Sequence, residues 1–192
     1  MSTAEVSPLS PGVDDVWRLI SEARADLGGS PSAVDVAAAV VRLLRGRSPA
    51  DIAAFDWPFE ELVALSYRAD LWAAACIIND GASDDVFDYF RGWLVAQGRD
   101  WFERALADPD SLATHPEVIA VRAGVGDLFG DDVLCVVMDA YRAVTGEDMP
   151  RHSVTAWVPD LDPDWNFDYN DEAEMRRRLP ALMALLDGEV EQ

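Results

Sequence analysis

No lysine occurs in this chain; all 15 of its basic side chains, the two histidines aside, are arginines. A phosphate-binding loop of the Walker type, a protein-kinase site and a cofactor Schiff base each need a lysine, so these chemistries are excluded. Cysteine is almost as scarce. Cys76 and Cys135 each stand inside an apolar run, without the paired spacing of a metal or redox motif, and read as small core residues. His115 and His152 lie far apart, each beside a Pro or Arg in an expected loop, and no serine occupies a nucleophile elbow. No apolar run approaches membrane length, and Met1 to Gly12 lacks the charged start and apolar centre of a secretory signal. The expectation is a cytoplasmic protein with no cofactor, no metal and no membrane association.

Positive charge is the other shortage. Thirty-six acidic residues face the 15 arginines, for a formal net charge of −21. Such a field repels phosphate backbones and anionic lipid surfaces, so direct nucleic-acid binding is not expected. A basic protein partner is compatible with it, as is mimicry of nucleic-acid charge against a DNA-binding protein. A solvated acidic surface is the simplest account.

Half of the 192 residues are hydrophobic, enough for one sizeable core. The pattern is helical throughout. Val16, Leu19, Ile20, Ala23 and Leu27 share one face of a helix over 14–27, begun by Asp14 and Asp15 and stopped at Gly28-Gly29. A second helix runs from Ser32 to Arg45. Ser48-Pro49 starts a third, which Pro58 should break near Trp57. From Leu62 to Ile78 apolar residues fall on several sides, which places that helix in the middle of the fold. Asn79-Asp80-Gly81 turns the chain, and Ser83 with Asp84 and Asp85 opens a helix carrying Val86, Phe87, Phe90, Trp93 and Leu94 toward the core. A short helix follows around Trp101 to Leu106, one more covers 131–144, and a terminal one covers 172–186 with an interruption at Pro180. No alternating run calls for a strand. The expected fold is all-α, an antiparallel helical bundle with short connections and an irregular acidic, proline-containing C-terminal segment. In domain terms, residues 1–12 form a flexible lead-in, 13–146 the helical core, and 147–192 a loop and helix packed on that core.

Several of these segments together resemble a known family. They are Val16-Trp17-Arg18-Leu19-Ile20 with Ala23-Arg24, Tyr67-Arg68 with Asp70-Leu71-Trp72-Ala73-Ala74-Ala75, and Ile77-Ile78-Asn79. Further on come Asp84-Asp85, Phe87, Tyr89-Phe90-Arg91-Gly92-Trp93-Leu94, Gln97-Gly98-Arg99 and Ala105-Leu106-Ala107-Asp108-Pro109-Asp110. Over approximately residues 14–145 the chain is similar to the bacterial domain of unknown function family numbered 4240. The resemblance implies a mainly helical domain and brings no activity or ligand with it.

The densest polar constellation is Arg68, Asp70, Asp80, Asp84, Asp85, Asp88, Arg91 and Arg99, on two successive helices and their turn. Asp84, Asp88 and Arg91 follow the four-then-three spacing of one helix side. Carboxylates so placed could hold a hard cation, and Arg68, Arg91 and Arg99 could grip an anionic ligand. The simpler account makes Asp84 and Asp85 helix-start charges, Asp88 and Arg91 a surface pair, and Arg68 with Asp70 structural partners. The candidate ligand-binding residues are thus Arg68, Asp70, Asp84, Asp88, Arg91 and Arg99.

Two other motifs fail at their demanding positions. Asp160-Leu161-Asp162-Pro163-Asp164-Trp165 starts like a calcium loop but puts tryptophan where glycine must turn, and Asp171 where a bidentate glutamate belongs. Gly124-Val125-Gly126-Asp127-Leu128-Phe129-Gly130 misplaces the third glycine of a dinucleotide loop and follows no strand. Trp17, Trp72 and Trp93 fall at packing positions, whereas Trp57, Trp157 and Trp165 lie beside prolines or in loops and suit contact with a partner. The leading expectation is a protein-interaction or regulatory module. The alternative is an enzyme or small-ligand binder with a pocket between the two central helices.

Overall fold

The structure is a computed structural model that describes residues 11–150 and 160–188. Among the described residues there are twelve α-helices, two short 3₁₀ turns and no strand, so the protein is all-α. The expectations for His152, Trp157 and residues 1–10 fall outside the described residues.

Helices α1 (Val13–Leu27) and α2 (Ala33–Leu44) pack on each other through the stripe read from the sequence; Val16, Leu19, Ile20 and Ala23 are buried on α1, and Val36, Ala37 and Val40 on α2. The Ser32 hydroxyl accepts the Asp35 N–H and so starts α2. Ser48 does the same for α3 (Pro49–Ala53), with Pro49 at the first helical position. The chain then leaves the helix at Ala54-Phe55, earlier than the expected break at Pro58. Pro58 instead sits in the first turn of α4 (Asp56–Leu65), where its missing N–H has no intrahelical partner to lose.

The centre is formed by α5 (Ala69–Ile78) and α6 (Asp84–Ala96). On α5 the buried residues Leu71, Ala73, Ala74, Ala75, Ile77 and Ile78 leave no single apolar side, as a helix surrounded by others requires. On α6 every residue from Phe90 to Gln97 is buried. Trp72 stacks on Phe87 at 4.7 Å between centroids, Phe87 on Phe90 at 6.4 Å, and Phe90 tilts against Trp93 at 5.5 Å. One aromatic row thus runs along the length of α6, each ring contributing on the order of 1.5–3 kcal/mol by burial.

After α7 (Arg99–Ala107), a 3₁₀ turn over Pro109–Thr114 leads into α8 (Pro116–Arg122). The single helix expected over 131–144 is divided at Cys135 into α9 (Asp131–Leu134) and α10 (Val136–Thr145). Helix α9 packs on α6. Its first turn is pressed against α6, where Gly130 donates its N–H to the Tyr89 carbonyl at 3.0 Å. A Cβ on Gly92 would lie 2.1 Å from the Gly130 oxygen, and one on Gly130 would lie 2.1 Å from the Trp93 nitrogen. The two glycines therefore let backbone meet backbone.

A second 3₁₀ turn, Pro163–Trp165, precedes α11 (Glu172–Arg178) and α12 (Pro180–Leu186), divided at Pro180 as the sequence predicts. Trp165, Phe167 and Tyr169 form a ladder of rings, and the Tyr169 hydroxyl donates to the Ala69 carbonyl at 3.0 Å. Burial, then the charges of Cys76 and Asp70, push that phenol up to about 12.

Candidate functional site

Arg68 precedes α5 in extended conformation, so its side chain reaches both inward and across. The Arg68 guanidinium holds Asp70 through Nε, at 3.0 Å from Oδ1, and through Nη2 to Oδ2; Nη1 donates to the Leu106 carbonyl at the end of α7, 2.6 Å away. Asp70 is buried, and its Oδ1 also lies 2.8 Å from the Leu71 N–H. Arg91 is buried on α6 with its guanidinium over the rings of Tyr67 and Phe87. Its Nη2 pairs with Asp88, and its Nη1 donates to the Val63 carbonyl at the end of α4, 3.1 Å away. The Arg91 Nε is buried and has no hydrogen-bond partner among the described residues.

The structure thus brings Arg68 to Asp70 and Arg91 to Asp88, with Arg91 over the ring of Tyr67, the residue before Arg68. Arg99 lies elsewhere. It is exposed at the start of α7, bonded to Glu103 at 2.7 Å and to Asp14 of α1 at 2.8 Å, and these partners raise its pKa. Asp84 is exposed in the first turn of α6, where its charge suits the helix start.

Two further arginines act as Arg68 and Arg91 do. Arg24 of α1 donates to the Ala96 carbonyl at 2.6 Å, and Arg122 of α8 to the carbonyls of Ile77 and Ile78 at 3.3 and 3.4 Å. In each case a guanidinium from a distant element bonds a carbonyl in the last turn of a helix; the Val63 carbonyl also accepts from the Ser66 N–H at 3.1 Å and hydroxyl at 2.7 Å, so Arg91 is there a third donor. A planar fork can do this while holding a second partner, which a lysine cannot match. Arg91→Lys is therefore expected to cost about 1–2 kcal/mol despite unchanged charge. Urea denaturation reads it as a lower midpoint with an unchanged slope.

A second constellation, near the C-terminal end of α6, gathers residues that no sequence motif groups together. His115 precedes α8 and is 3% exposed, with Pro116 at the first helical position. Its Nδ1 accepts the Glu117 N–H at 3.2 Å, which assigns the proton of the neutral ring to Nε2. The ring stands edge-on between Trp93 at 5.0 Å and Trp101 at 4.4 Å. The Glu117 carboxylate accepts the Trp93 indole N–H at 2.7 Å and, more loosely, the Gln97 amide at 3.4 Å. Arg24 is the nearby cation, and burial followed by that charge lowers the His115 pKa to about 4. The imidazole is held neutral. Chemically the cluster offers an acceptor already used at Nδ1 and a carboxylate already used by Trp93, a pattern that fixes α8 to α6 and α7. The legible signal was local: a side chain able to accept, then Pro, then Glu, marks a helix start.

The acidic segment after Asp160 is spent on turns. Asp162 accepts the Asp164 N–H at 2.9 Å, Asp168 accepts from Asn170, and Asp171 caps α11. Among the described residues no three His, Cys, Asp or Glu side chains are grouped so as to hold a metal ion. No described helix is long and apolar enough to cross a membrane.

Comparison with curated proteins and with solved structures finds no match. Residues 12–143 match the family described as "Protein of unknown function (DUF4240)", and the chain belongs to that family.

Proposed function

We propose that the protein is an interaction module that docks a basic partner through an acidic, aromatic-centred face. The observation that carries this is how the charges are spent. Arg24, Arg68, Arg91 and Arg122 are committed to helix ends, and Arg18, Arg42, Arg99 and Arg142 to carboxylates, so the acidic surplus faces outward. Asp131 and Asp132 open α9 where its start meets Tyr89 and Gly92 of α6, Asp84 and Asp85 lie in the first turn of α6, about one turn before Tyr89, and all four residues are exposed. Just before α9, Phe129 is 43% exposed and meets Tyr89 edge-on at 5.8 Å. Rings flanked by carboxylates suit arginine side chains, which add cation–π contact to ion pairing. Two unpaired cysteines fit a reducing, cytoplasmic setting. An anion-binding pocket at Arg68 and Arg91 has less support, since both guanidiniums already hold a carboxylate and a carbonyl. The acidic field likewise argues against direct contact with nucleic acid.

The test is titration calorimetry with an arginine-rich peptide. The variant Asp84→Asn/Asp85→Asn/Asp131→Asn/Asp132→Asn should bind at least about tenfold more weakly. A control with Glu22→Gln, Asp100→Asn, Glu147→Gln and Asp160→Asn removes equal charge elsewhere and should lose less than about threefold. Equal losses in the two variants contradict the face.

A further inference from the structure

Helix α12 is held from outside itself. Pro180 opens it, and the free N–H groups of Ala181 and Leu182 both point to the Asp110 carboxylate in the 3₁₀ turn, each at 2.9 Å. Asp110 therefore does for α12 what a capping residue does for its own helix, from 71 and 72 positions away. Leu182, Met183 and Leu185 are buried beneath it, on a seat made by α5, the 3₁₀ turn and α8.

The seat lies wholly within residues 12–143, the part that defines the family, and its occupant lies wholly outside them. Seven residues are too few to be helical unaided, so the seat imposes the conformation. The occupant follows directly on chain that is itself held to the core, through the Tyr169 hydroxyl on the Ala69 carbonyl and the buried Met175 and Leu179. A partner helix must therefore outcompete an intramolecular neighbour, whose effective concentration is on the order of millimolar or above.

We infer that the seat formed by α5, the 3₁₀ turn and α8 is a helix-receiving groove of the family core, occupied here in cis by α12. It takes a short helix with proline at the first position and apolar side chains two, three and five residues later, the spacing of Pro180, Leu182, Met183 and Leu185. Asp110 reads the start of that helix through its two free N–H groups, and the apolar residues fill the groove. A partner protein presenting such a helix displaces α12. The acidic face at α6 and α9 is a separate surface, and neither site depends on the other.

The experiment uses the full chain with Leu182→Asp, which expels α12, and a labelled peptide of residues 171–188. The peptide should bind this variant saturably at one to one, bind the unaltered chain at least tenfold more weakly, and bind Asp110→Ala/Leu182→Asp at least tenfold more weakly. Hydrogen exchange should show α5 and α6 still protected in Leu182→Asp. Absence of saturable binding to a variant that keeps this protection overturns the inference. So does loss of protection throughout the molecule, since α12 is then an integral part of the core rather than an occupant.

Discussion

Acidification from pH 7 to 4.5 is expected to cost the protein on the order of 2–3 kcal/mol of stability, most of it through His115. The ring is neutral and enclosed in the folded state with a pKa of about 4, whereas in the unfolded chain it returns to 6.5. A lowered histidine pKa means that the unfolded state takes up the proton first as the pH falls. Stability is therefore complete above pH 6.5, declines between 6.5 and about 4, and levels off below that as far as this residue is concerned. Glu174 titrates in a lower window. Hydrogen bonds from Arg177 and Arg178 hold its carboxyl down at about 2 against an ordinary 4.5, so its contribution is present above 4.5 and lost below. Asp168 and Asp187 are lowered as well, by Asn170 and Arg176 respectively. Chemical denaturation at pH 7, 5.5 and 4.5 resolves the histidine part. His115→Asn keeps an acceptor for the Glu117 N–H but does not titrate, so its curve should start lower and fall much less. Parallel curves for the two proteins would show that His115 is not held neutral.

Adding one methyl group at Gly92 or Gly130 should be more damaging still. With a Cβ 2.1 Å from backbone atoms of the facing segment, α9 must move away from α6. The movement breaks the Gly130 to Tyr89 hydrogen bond and opens the contact around Leu134, whose Cγ lies 3.3 Å from the same Cβ. Overpacking of side chains costs about 1–3 kcal/mol; because backbone cannot change rotamer, Gly92→Ala should reach or exceed the top of that range. Gly46→Ala is the control. It is exposed, and its Cβ meets only the Leu43 carbonyl oxygen at an ordinary 3.5 Å, so a change within about 0.5 kcal/mol is expected. Thermal unfolding should separate the two variants by many degrees, and similar midpoints would refute the close approach.

These two predictions rest on residues whose importance is invisible along the chain. Helix starts were legible because Ser32, Ser48 and Ser83 accept N–H groups only three positions ahead. The interruption at Pro180 was legible for a similar reason. The crowded charges of α5 and α6 were legible as a cluster but not as helix caps, since Arg68 and Arg91 find their carbonyls on other helices. The contact between Gly92 and Gly130 depends on how two elements meet, and no local pattern encodes that. His115 offered a faint signal through Pro116 and Glu117, but its burial comes from Trp93 and Trp101, which arrive earlier in the chain.

The four arginines that close helix ends from afar also bear on the order of events in folding. Their bonds span 72, 38, 28 and 45 positions for Arg24, Arg68, Arg91 and Arg122. Loops of that size close only after the helices have formed and met, so these contacts belong to the native side of the folding barrier. Interactions missing from the transition state leave the folding rate nearly unchanged and act on unfolding instead. The distant arginines therefore set how long the native state persists, while the local serine caps help determine how readily it is reached.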